Sequence, residues 1–386
     1  MLRFIVRRLV RALITLVAFQ TVLFLLIQAV PGDYASILRG SSLYRHGMRV
    51  LLGLDAPVWQ QYLTWMGRFF TGDLGTSFQL RNVPVADLLL GVSPRTLLLF
   101  LPAALLGFGL GVWLGKRIAW HRGGWLEFAA SVTGAAFYTS FPPWLAFVLV
   151  NIFALQLRWL PAENLVNFNY WLGARVTPDA VVRWMLLTVI VDGALLTSLL
   201  WLAGRGTRSR RLTRLLGGAA IVGLTFGAWL ASGWAVYALD ILRHLALPLT
   251  TLTLLSFGET MLLMRTAMIE YLGDDHVLMA RAKGLTDAAV RDRHVARLAL
   301  LPVLARLILQ LPFVLLGSFV IERFFFWRGM GQALFTASDF QDLPVLMGIL
   351  SIVGMVMLLA HLGLDILHAW LDPRVRDMTL RAPGRL

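Results

Sequence analysis

The stretch TLLLFLPAALLGFGLGVWLGKR, residues 96–117, identifies the class of this protein. It carries no charged side chain from Thr96 to Gly115 and ends in the basic pair Lys116 and Arg117. A transmembrane helix needs about 20 predominantly apolar residues, and basic residues accumulate on its cytoplasmic side. The stretch therefore predicts a membrane-spanning helix that ends in the cytoplasm.

Three glycines of this stretch, Gly107, Gly111 and Gly115, recur at every fourth position. Residues four apart share a helix face, and glycine leaves room for a close neighbour. We expect a second helix to pack against this face. The same glycines do not form a phosphate-binding loop, because their spacing is too short and Arg117 stands where serine or threonine is needed.

The composition of the whole chain points to the same class. Of its 386 residues, 58% are hydrophobic and only 15% are charged. Soluble domains carry roughly 25% charged residues, which they need to cover an apolar core with polar surface. The chain has no cysteine, which excludes disulfides, thiolate metal ligands and cysteine nucleophiles.

Seven further stretches are long and apolar enough to cross a membrane. They are Ala12–Val30, Phe128–Leu157, Trp184–Ala203, Leu215–Leu239, Leu245–Met264, Val303–Val320 and Val345–Leu367. The sequence therefore predicts an all-α polytopic membrane protein with about eight transmembrane helices. The Pro142-Pro143 pair predicts a bend, because proline removes a hydrogen-bond donor and clashes with the preceding turn.

The position of the basic residues predicts the topology. The net charge is +14, and the basic residues cluster in residues 1–11, 116–127, 204–214, 265–302 and 368–386. With about eight helices and a cytoplasmic N-terminus, all these clusters lie on the cytoplasmic side, as the positive-inside rule requires. Both termini are thus expected in the cytoplasm. Basic runs that separate apolar spans also argue against a nucleic-acid partner.

The cytoplasmic stretch from Tyr271 to Pro302 is the most informative loop. Gly284 can adopt the left-handed conformation that ends a helix, and Thr286 or Asp287 can cap the next helix. That second helix is expected to run until Pro302 opens the following span. Two interpretations remain open: an amphipathic helix that docks on a partner protein, or a basic loop on anionic lipid. The predicted apolar strip is Val277, Ala280 and Leu285.

This loop resembles the coupling-helix loop of ABC importer permeases, in particular the dipeptide, oligopeptide and nickel subfamily, whose version reads A-R-A-K-G-L. The chain carries the same letters at residues 280–285, and the following helix ends in Leu301-Pro302. Other blocks are similar to the first of the two permease types of that subfamily. They are Leu2–Ile5 with Arg7-Arg8, Pro31–Asp33, Gly72–Phe78, Trp159–Pro161, Leu242–Leu252, Val320–Glu322 and Leu371–Arg374.

The resemblance implies a type I ABC importer permease core of six transmembrane helices in the cytoplasmic (inner) membrane of a bacterium or archaeon. The implied cargo is peptides or similar small solutes. The implied partners are a second homologous permease, two ABC ATPase subunits, an extracytoplasmic substrate-binding protein and membrane lipid. ATP and magnesium would bind the ATPases, so no cofactor and no enzyme activity are expected in this chain. The implied ATPase-coupling residues are Ala280, Arg281, Ala282, Lys283, Gly284 and Leu285.

Two other functional classes also include polytopic helical membrane proteins. An ion-gradient-driven secondary transporter is the alternative function, and it would need coupling-ion sites and internal repeats. A membrane enzyme would need clustered catalytic residues near one interface. The sequence shows neither pattern.

The chain departs from the family between Ala162 and Ile241, where it carries two predicted spans in addition to the six of the core. We predict an inserted helical hairpin of unassigned role. Leu298 is a smaller departure, because relatives usually carry asparagine there. The predicted organisation is an N-terminal segment with the first helix (1–31), an extracytoplasmic segment (32–95), helices two and three (96–161), the insertion (162–241), the remaining core (242–376) with its coupling loop (269–302), and a cytoplasmic tail (377–386).

The extracytoplasmic segment has two possible roles. Its tryptophan-rich part can receive the binding protein or lie as an amphipathic segment on the outer leaflet.

Ionisable residues inside the predicted spans are candidates for function. Glu259 and Asp192 are the candidates for the translocation path, each with a structural alternative: hydrogen bonding between helices for Glu259 and attachment of the hairpin for Asp192. Asp365 is expected to be structural. His361 and His368 share a helix face but have no third ligand at usable spacing, so no metal site is predicted.

Overall fold

The computed structural model describes the backbone of residues 2–37, 41–80, 83–203 and 210–371. It describes the side chains of the same residues except 2–5, 200–203, 210–214, 311–318 and 366–371. Three predicted segments lie wholly or mostly outside these described residues: the tail (377–386), residues 372–374 of the Leu371–Arg374 block, and residues 204–209 of the 204–214 basic run.

The described residues are almost entirely helical, as the sequence predicts. The N-terminal part contains α1 (Leu2–Gln28), α2 (Tyr34–Ile37), α3 (Ser42–Leu51), α4 (Val58–Thr71), α5 (Val85–Trp120), α6 (Trp125–Thr139), α7 (Pro142–Leu149) and a π-helical continuation (Val150–Gln156). The middle part contains α8 (Phe168–Trp171), α9 (Pro178–Ala203), α10 (Arg210–Ala231) and α11 (Ala235–Tyr271). The rest contains α12 (Asp275–Ala282), α13 (Asp287–Ala289), a second π-helical segment (Val290–Val295), α14 (Ala296–Phe324), α15 (Met330–Asp339) and α16 (Leu343–Leu371).

Among the described residues, five helices are long and apolar enough to cross a membrane. They are Val6–Gln28, Val85–Trp120, Pro178–Leu199, Ala235–Tyr271 and Leu343–Asp365. A sixth span results if α6 and α7 with its π-helical continuation are counted as one broken span. The all-α polytopic class is therefore confirmed, whereas these criteria give five or six spans where the sequence predicts about eight.

One predicted span, Leu215–Leu239, is wrong in its bounds. Helix α10 ends at Ala231 and α11 begins at Ala235, with Gly233 between them at φ +72°. Glycine reaches this left-handed conformation at low cost, so the chain can turn here although the surrounding stretch is mostly apolar. The predicted span Val303–Val320 lies within α14, part of whose side chains is outside the described residues.

The predicted bend at Pro142-Pro143 is confirmed. Helix α6 stops at Thr139, and α7 starts at Pro142 with its axis turned by 110°. The prolines lie in the first turn of a new helix, where the missing N–H has no intrahelical partner to lose. The pair thus starts a helix instead of kinking one.

The predicted close approach along the glycine face of α5 is also confirmed, and the neighbour is α11. A Cβ atom added at Gly107 would lie 2.1 Å from the Ser256 Oγ atom, and one added at Gly115 would lie 2.7 Å from the Met261 carbonyl oxygen. Helix α6 approaches α11 in the same way, since a Cβ atom at Gly258 would lie 2.1 Å from the Gly134 carbonyl oxygen. Helix α11 therefore forms the centre of the bundle.

The predicted insertion is attached to this bundle through the first half of α9. Val181, Val182 and Met185 are buried together with Leu98 of α5 and Ile241 of α11. The Arg95 Nε atom donates a hydrogen bond of 2.6 Å to the Asp179 carboxylate at the start of α9, and a second guanidinium nitrogen lies 2.6 Å from the same oxygen as an ion pair. Helix α10, by contrast, packs mainly on α9 and leaves many of its apolar side chains exposed.

Candidate functional site

The coupling loop forms a short exposed helix, α12, with a defined end. Gly284 has φ +73°, as predicted, and its N–H donates to the Arg281 carbonyl at 2.9 Å. The Leu285 N–H donates to the Ala280 carbonyl at 3.4 Å, which together with the first bond forms the Schellman arrangement. The Thr286 hydroxyl then accepts from the Ala289 N–H and caps α13. Local backbone chemistry therefore ends α12 and starts α13.

The structure divides the predicted apolar strip of the loop between a buried face and an exposed face. Val277 is 0% exposed and Ala280 is 3% exposed, and both pack inside the chain with Met268 and Val295. The Ala280 side chain therefore packs within this chain. The ATPase-coupling role that the resemblance implies for residues 280–285 stays a prediction. The helix had to bury one apolar face against its own bundle, which the sequence pattern cannot distinguish from burial against another protein.

The outward surface of the loop carries other residues. Leu278, Met279 and Leu285 are exposed apolar side chains, and Ala282 and Lys283 are exposed beside them. We call these five residues and Arg281 the docking face. Its apolar centre and basic margin suit an apolar groove with acidic residues at its rim.

Contacts with the end of α5 hold the coupling loop in place. The Lys116 ammonium lies 3.2 Å from the Asp292 carboxylate, and the Arg291 guanidinium donates to the same carboxylate at 2.8 Å. The hydrogen bond from Arg291, with a further contribution from Lys116, lowers the pKa of Asp292 from 3.8 to about 2. The Arg281 guanidinium lies over the Trp120 ring, 5.6 Å from its centroid. The loop and α5 are therefore joined by charge as well as by apolar packing.

The second helix of the loop does not end at Pro302, so the predicted helix boundary there is wrong. It is continuous from Asp287 through the π-helical segment into α14. Pro302 removes a single main-chain hydrogen bond, and Ala299 and Val303 on either side of it are buried against the bundle. Packing on both sides offsets that loss, so the helix tolerates the proline.

Glu259, a candidate for the translocation path, lies beside two polar residues of α14. The Arg306 Nε atom donates to its carboxylate at 2.8 Å, and the Gln310 side-chain amide donates to the other oxygen. The Arg306 side chain remains 52% exposed. Sequence reasoning missed Arg306 and Gln310, although a charged residue inside the predicted span Val303–Val320 is itself a signal of function.

The other intramembrane acids pair locally. The Asp192 carboxylate accepts from the Thr225 hydroxyl at 2.8 Å, which joins α9 to α10, so Asp192 lies in the hairpin and away from Glu259. The predicted structural role of Asp365 agrees with its ion pair to Arg8 of α1 at 2.5 Å. His361 contacts the carbonyl of Met357, and the His368 side chain lies outside the described residues. Within the described part of the chain, no group of three metal-ligating side chains occurs.

Glu322 is a buried acid whose role the sequence did not reveal. It is 0% exposed and accepts from the Thr96 hydroxyl at 2.6 Å and from the Gly331 N–H at 2.7 Å. These bonds connect α5, α14 and the N-terminus of α15, where a negative charge is stabilised by the helix dipole. Glycine is required at Gly331, because a Cβ atom there would lie 2.4 Å from the Phe319 Cα atom.

Two family models match the chain. The model described as the inner membrane component of binding-protein-dependent transport systems matches residues 107–377, more than half of the chain. A second model, for the N-terminal part of such membrane components, matches residues 1–98. Together they cover the coupling loop, the helical core and the extracytoplasmic segment.

Curated relatives match over nearly the full length. The chain is 29% identical over 380 residues to the di/tripeptide transport system permease protein DppB of Pseudomonas aeruginosa, with 97% of this chain and 99% of the relative covered. It is 27% identical over 380 residues to the dipeptide transport system permease protein DppB of Escherichia coli, with the same shares covered. These findings agree with an ABC importer permease and give no support to the ion-gradient-driven alternative.

Proposed function

This chain belongs to the family of inner membrane components of binding-protein-dependent transport systems, and on that premise we propose that it forms half of an importer's path for peptides or similar small solutes. It is a permease subunit of an ABC importer in the inner membrane. The near-complete match to peptide permeases is the observation that carries the proposed cargo. The other half of the path is a second, homologous permease, and a binding protein delivers the solute.

The docking face receives the ATPase. Leu278, Met279 and Leu285 enter an apolar groove of that subunit, while Arg281 and Lys283 pair with acids at its rim. When two ATPase subunits close on ATP, the pull on α12 passes to the bundle through Val277 and the Lys116–Asp292 pair. The helices then rock as rigid bodies between two states, each favoured by a different ligand.

Gly284 lets α12 end abruptly, so that the docking face projects from the bundle. Replacement of Gly284 by leucine should weaken ATPase binding and uptake, because leucine resists the left-handed conformation. Gly273 is a matched control, since it also lies in the loop with open space around it but without a positive φ. Normal ATPase binding by Gly284→Leu would contradict this role.

Glu259, Arg306 and Gln310 contribute to the path. A charged side chain inside a membrane helix almost always faces the bundle interior or a water-filled cavity, and the half-exposed Arg306 fits the second case. Its guanidinium attracts the carboxylate of a passing peptide, while Glu259 holds it in position. Arg306→Gln should reduce uptake with little change in ATPase binding, and unchanged uptake would remove these residues from the path.

The decisive experiment reconstitutes the permease pair with the ATPases and the binding protein in proteoliposomes. Uptake of a labelled dipeptide is measured with and without ATP, and with ion gradients collapsed by ionophores. We expect uptake that requires ATP and the binding protein and persists without gradients. Uptake driven by a gradient alone would overturn the proposal. Mass spectrometry of the ligand that co-purifies with the binding protein identifies the cargo.

A further inference from the structure

A cleft of about 480 Å³ lies between α9, the last turns of α10 and the residue before α11. Small-molecule sites typically measure about 300–1,000 Å³ and combine apolar walls with a few polar groups. The walls here include Trp184, Trp229 and Trp234, and the polar groups include Asp192 and Thr225. The cleft is thus of a size and composition that suit a small amphipathic molecule.

Asp192 is the chemically important group of the cleft. One oxygen of its carboxylate accepts from the Thr225 hydroxyl, and among the described residues its other oxygen, Oδ2, accepts no hydrogen bond. No described basic side chain forms an ion pair with it. Asp192 lies near the middle of a membrane-spanning helix, where a carboxylate is costly unless a cation or a proton neutralises it. An occupant with a cationic group would supply this neutralisation at the Asp192 end of the cleft.

The three indole rings occupy the rest of the cleft. Trp184 precedes Asp192 by two helical turns, and Trp229 follows Thr225 by one turn. The Trp184 and Trp234 rings meet edge to face with centroids 6.3 Å apart. Aromatic faces attract organic cations and also provide a large apolar contact surface. The cleft thus has a carboxylate at one end and an aromatic wall along the rest of its length.

We propose that this cleft binds a hydrophobic amine, with its ammonium group donating to the Asp192 carboxylate and its apolar body lying along the three indoles. A bare metal cation would gain nothing from the aromatic walls. A neutral acyl chain would fill the apolar part but leave the carboxylate unpaired, at a cost. The membrane helix of another protein would need a groove along most of α9, whereas this cleft is confined to its first half and the end of α10. The site is independent of the proposed transport role.

The test uses the full chain in lipid nanodiscs and a photoreactive alkylamine that carries a diazirine. Mass spectrometry maps the labelled peptides, and decylammonium and decanol, which differ only in the head group, compete with the label. We expect labelling within residues 184–192 and 225–234, with decylammonium competing at about a tenfold lower concentration than decanol. Asp192→Asn should remove this difference, and Asp192→Glu should retain it.

Two further variants keep the test decisive. Asp365→Asn is the matched control, since Asp365 is an intramembrane acid outside the cleft, and it should leave the difference unchanged. Ala228→Trp adds bulk to the cleft wall without touching Asp192 and should abolish labelling even if Asp192→Asn fails to fold. Equal competition by decylammonium and decanol in the wild type, persistence of the difference in Asp192→Asn, or full labelling of Ala228→Trp would each overturn the proposal.

Discussion

The coupling loop packs against the last turns of α11 and the α9–α10 hairpin packs against its first turns, and the two regions are attached to the bundle in different ways. In the loop, Val277, Val290 and Val295 are fully buried against α5, α11 and α14, and a charge pair adds to that contact. In the hairpin, α10 leaves Leu224 75% exposed, and the Asp192–Thr225 hydrogen bond joins it to α9. Both regions are apolar, yet one is part of the bundle's core and the other presents its apolar surface outward.

This difference separates two uses of apolar side chains in a membrane protein. In the proposed mechanism the coupling loop transmits force, so it must be rigidly joined to the helices it moves, and its apolar face packs inside the chain. A peripheral hairpin loses nothing by exposing apolar side chains to lipid, which is as apolar as they are. Substitutions at matched positions can test how rigidly each region is attached.

The largest expected effect is that of Ala280→Leu, which places a bulky side chain in the packed interface under α12. Overpacking of this kind costs about 1–3 kcal/mol. Ala282→Leu, on the exposed side of the same helix, should change stability by less than about 0.5 kcal/mol. The measurement is the thermal unfolding midpoint of the purified chain in nanodiscs. Equal midpoints for the two variants would mean that α12 is not packed as described.

A smaller effect is expected where the hairpin joins the core. Asp179→Asn removes the ion pair with Arg95 and weakens its hydrogen bond. We expect the free energy of unfolding to fall by about 1–2 kcal/mol, because the pair is charge-assisted but a third of Asp179 is exposed. Hydrogen exchange should accelerate in the first turns of α9 and remain unchanged in α12. If exchange in α9 does not change, Arg95 is not what holds the hairpin.

Gly284→Ala should have a smaller effect still. We expect it to lower the free energy of unfolding by about 1 kcal/mol, since alanine adopts φ +73° only with strain. Nothing lies within 4 Å of an added Cβ atom at this position, so steric contact makes no contribution. Gly273→Ala is the matched control and should be neutral. A helix end at residues 283–285 that exchanges equally in both variants would contradict the predicted strain.

The smallest effect concerns the Lys116–Asp292 pair. Because the folded pKa of Asp292 is lowered to about 2, its contribution is complete above pH 3.8 and is lost only as the pH falls toward 2. Exchange of residues 287–295 should therefore show no titration of this group between pH 8 and pH 5. Asp292→Asn should accelerate exchange between pH 5 and pH 8, with a loss of stability below about 1 kcal/mol, because the carboxylate is 40% exposed. A transition near pH 6 would require another titrating group.

Much of the loop was predictable because its signals are local. A glycine that ends a helix and a threonine that caps the next one act through their own backbone and their immediate neighbours, so Gly284 and Thr286 were identified correctly. The direction in which Ala280 points was not predictable. An apolar strip indicates that a helix face is buried, but it does not show whether this chain or a partner protein buries it. The continuation of the helix through Pro302 likewise depends on the packing of Ala299 and Val303.

Residue pairs that are distant in the sequence were the least predictable. Glu259 was recognised as an unusual acid, but its partner Arg306 lies in another helix, and only the packing of α11 on α14 brings them together. The same holds for Glu322, which meets Thr96 across 226 positions of the chain. No local pattern encodes such a pairing.

The sequence by itself determined the membrane class, the bend at Pro142-Pro143, the glycine contact face of α5 and the end of α12. Each of these follows from hydrophobicity over one stretch or from the backbone preferences of one or two residues. Only the tertiary structure decided which side of α12 faces outward, how Glu259 is paired, and that three indoles and Asp192 line one cleft. Those features arise when helices far apart in the chain come within contact distance. The free energy of that packing depends on both contacting surfaces, so no single stretch of sequence determines it.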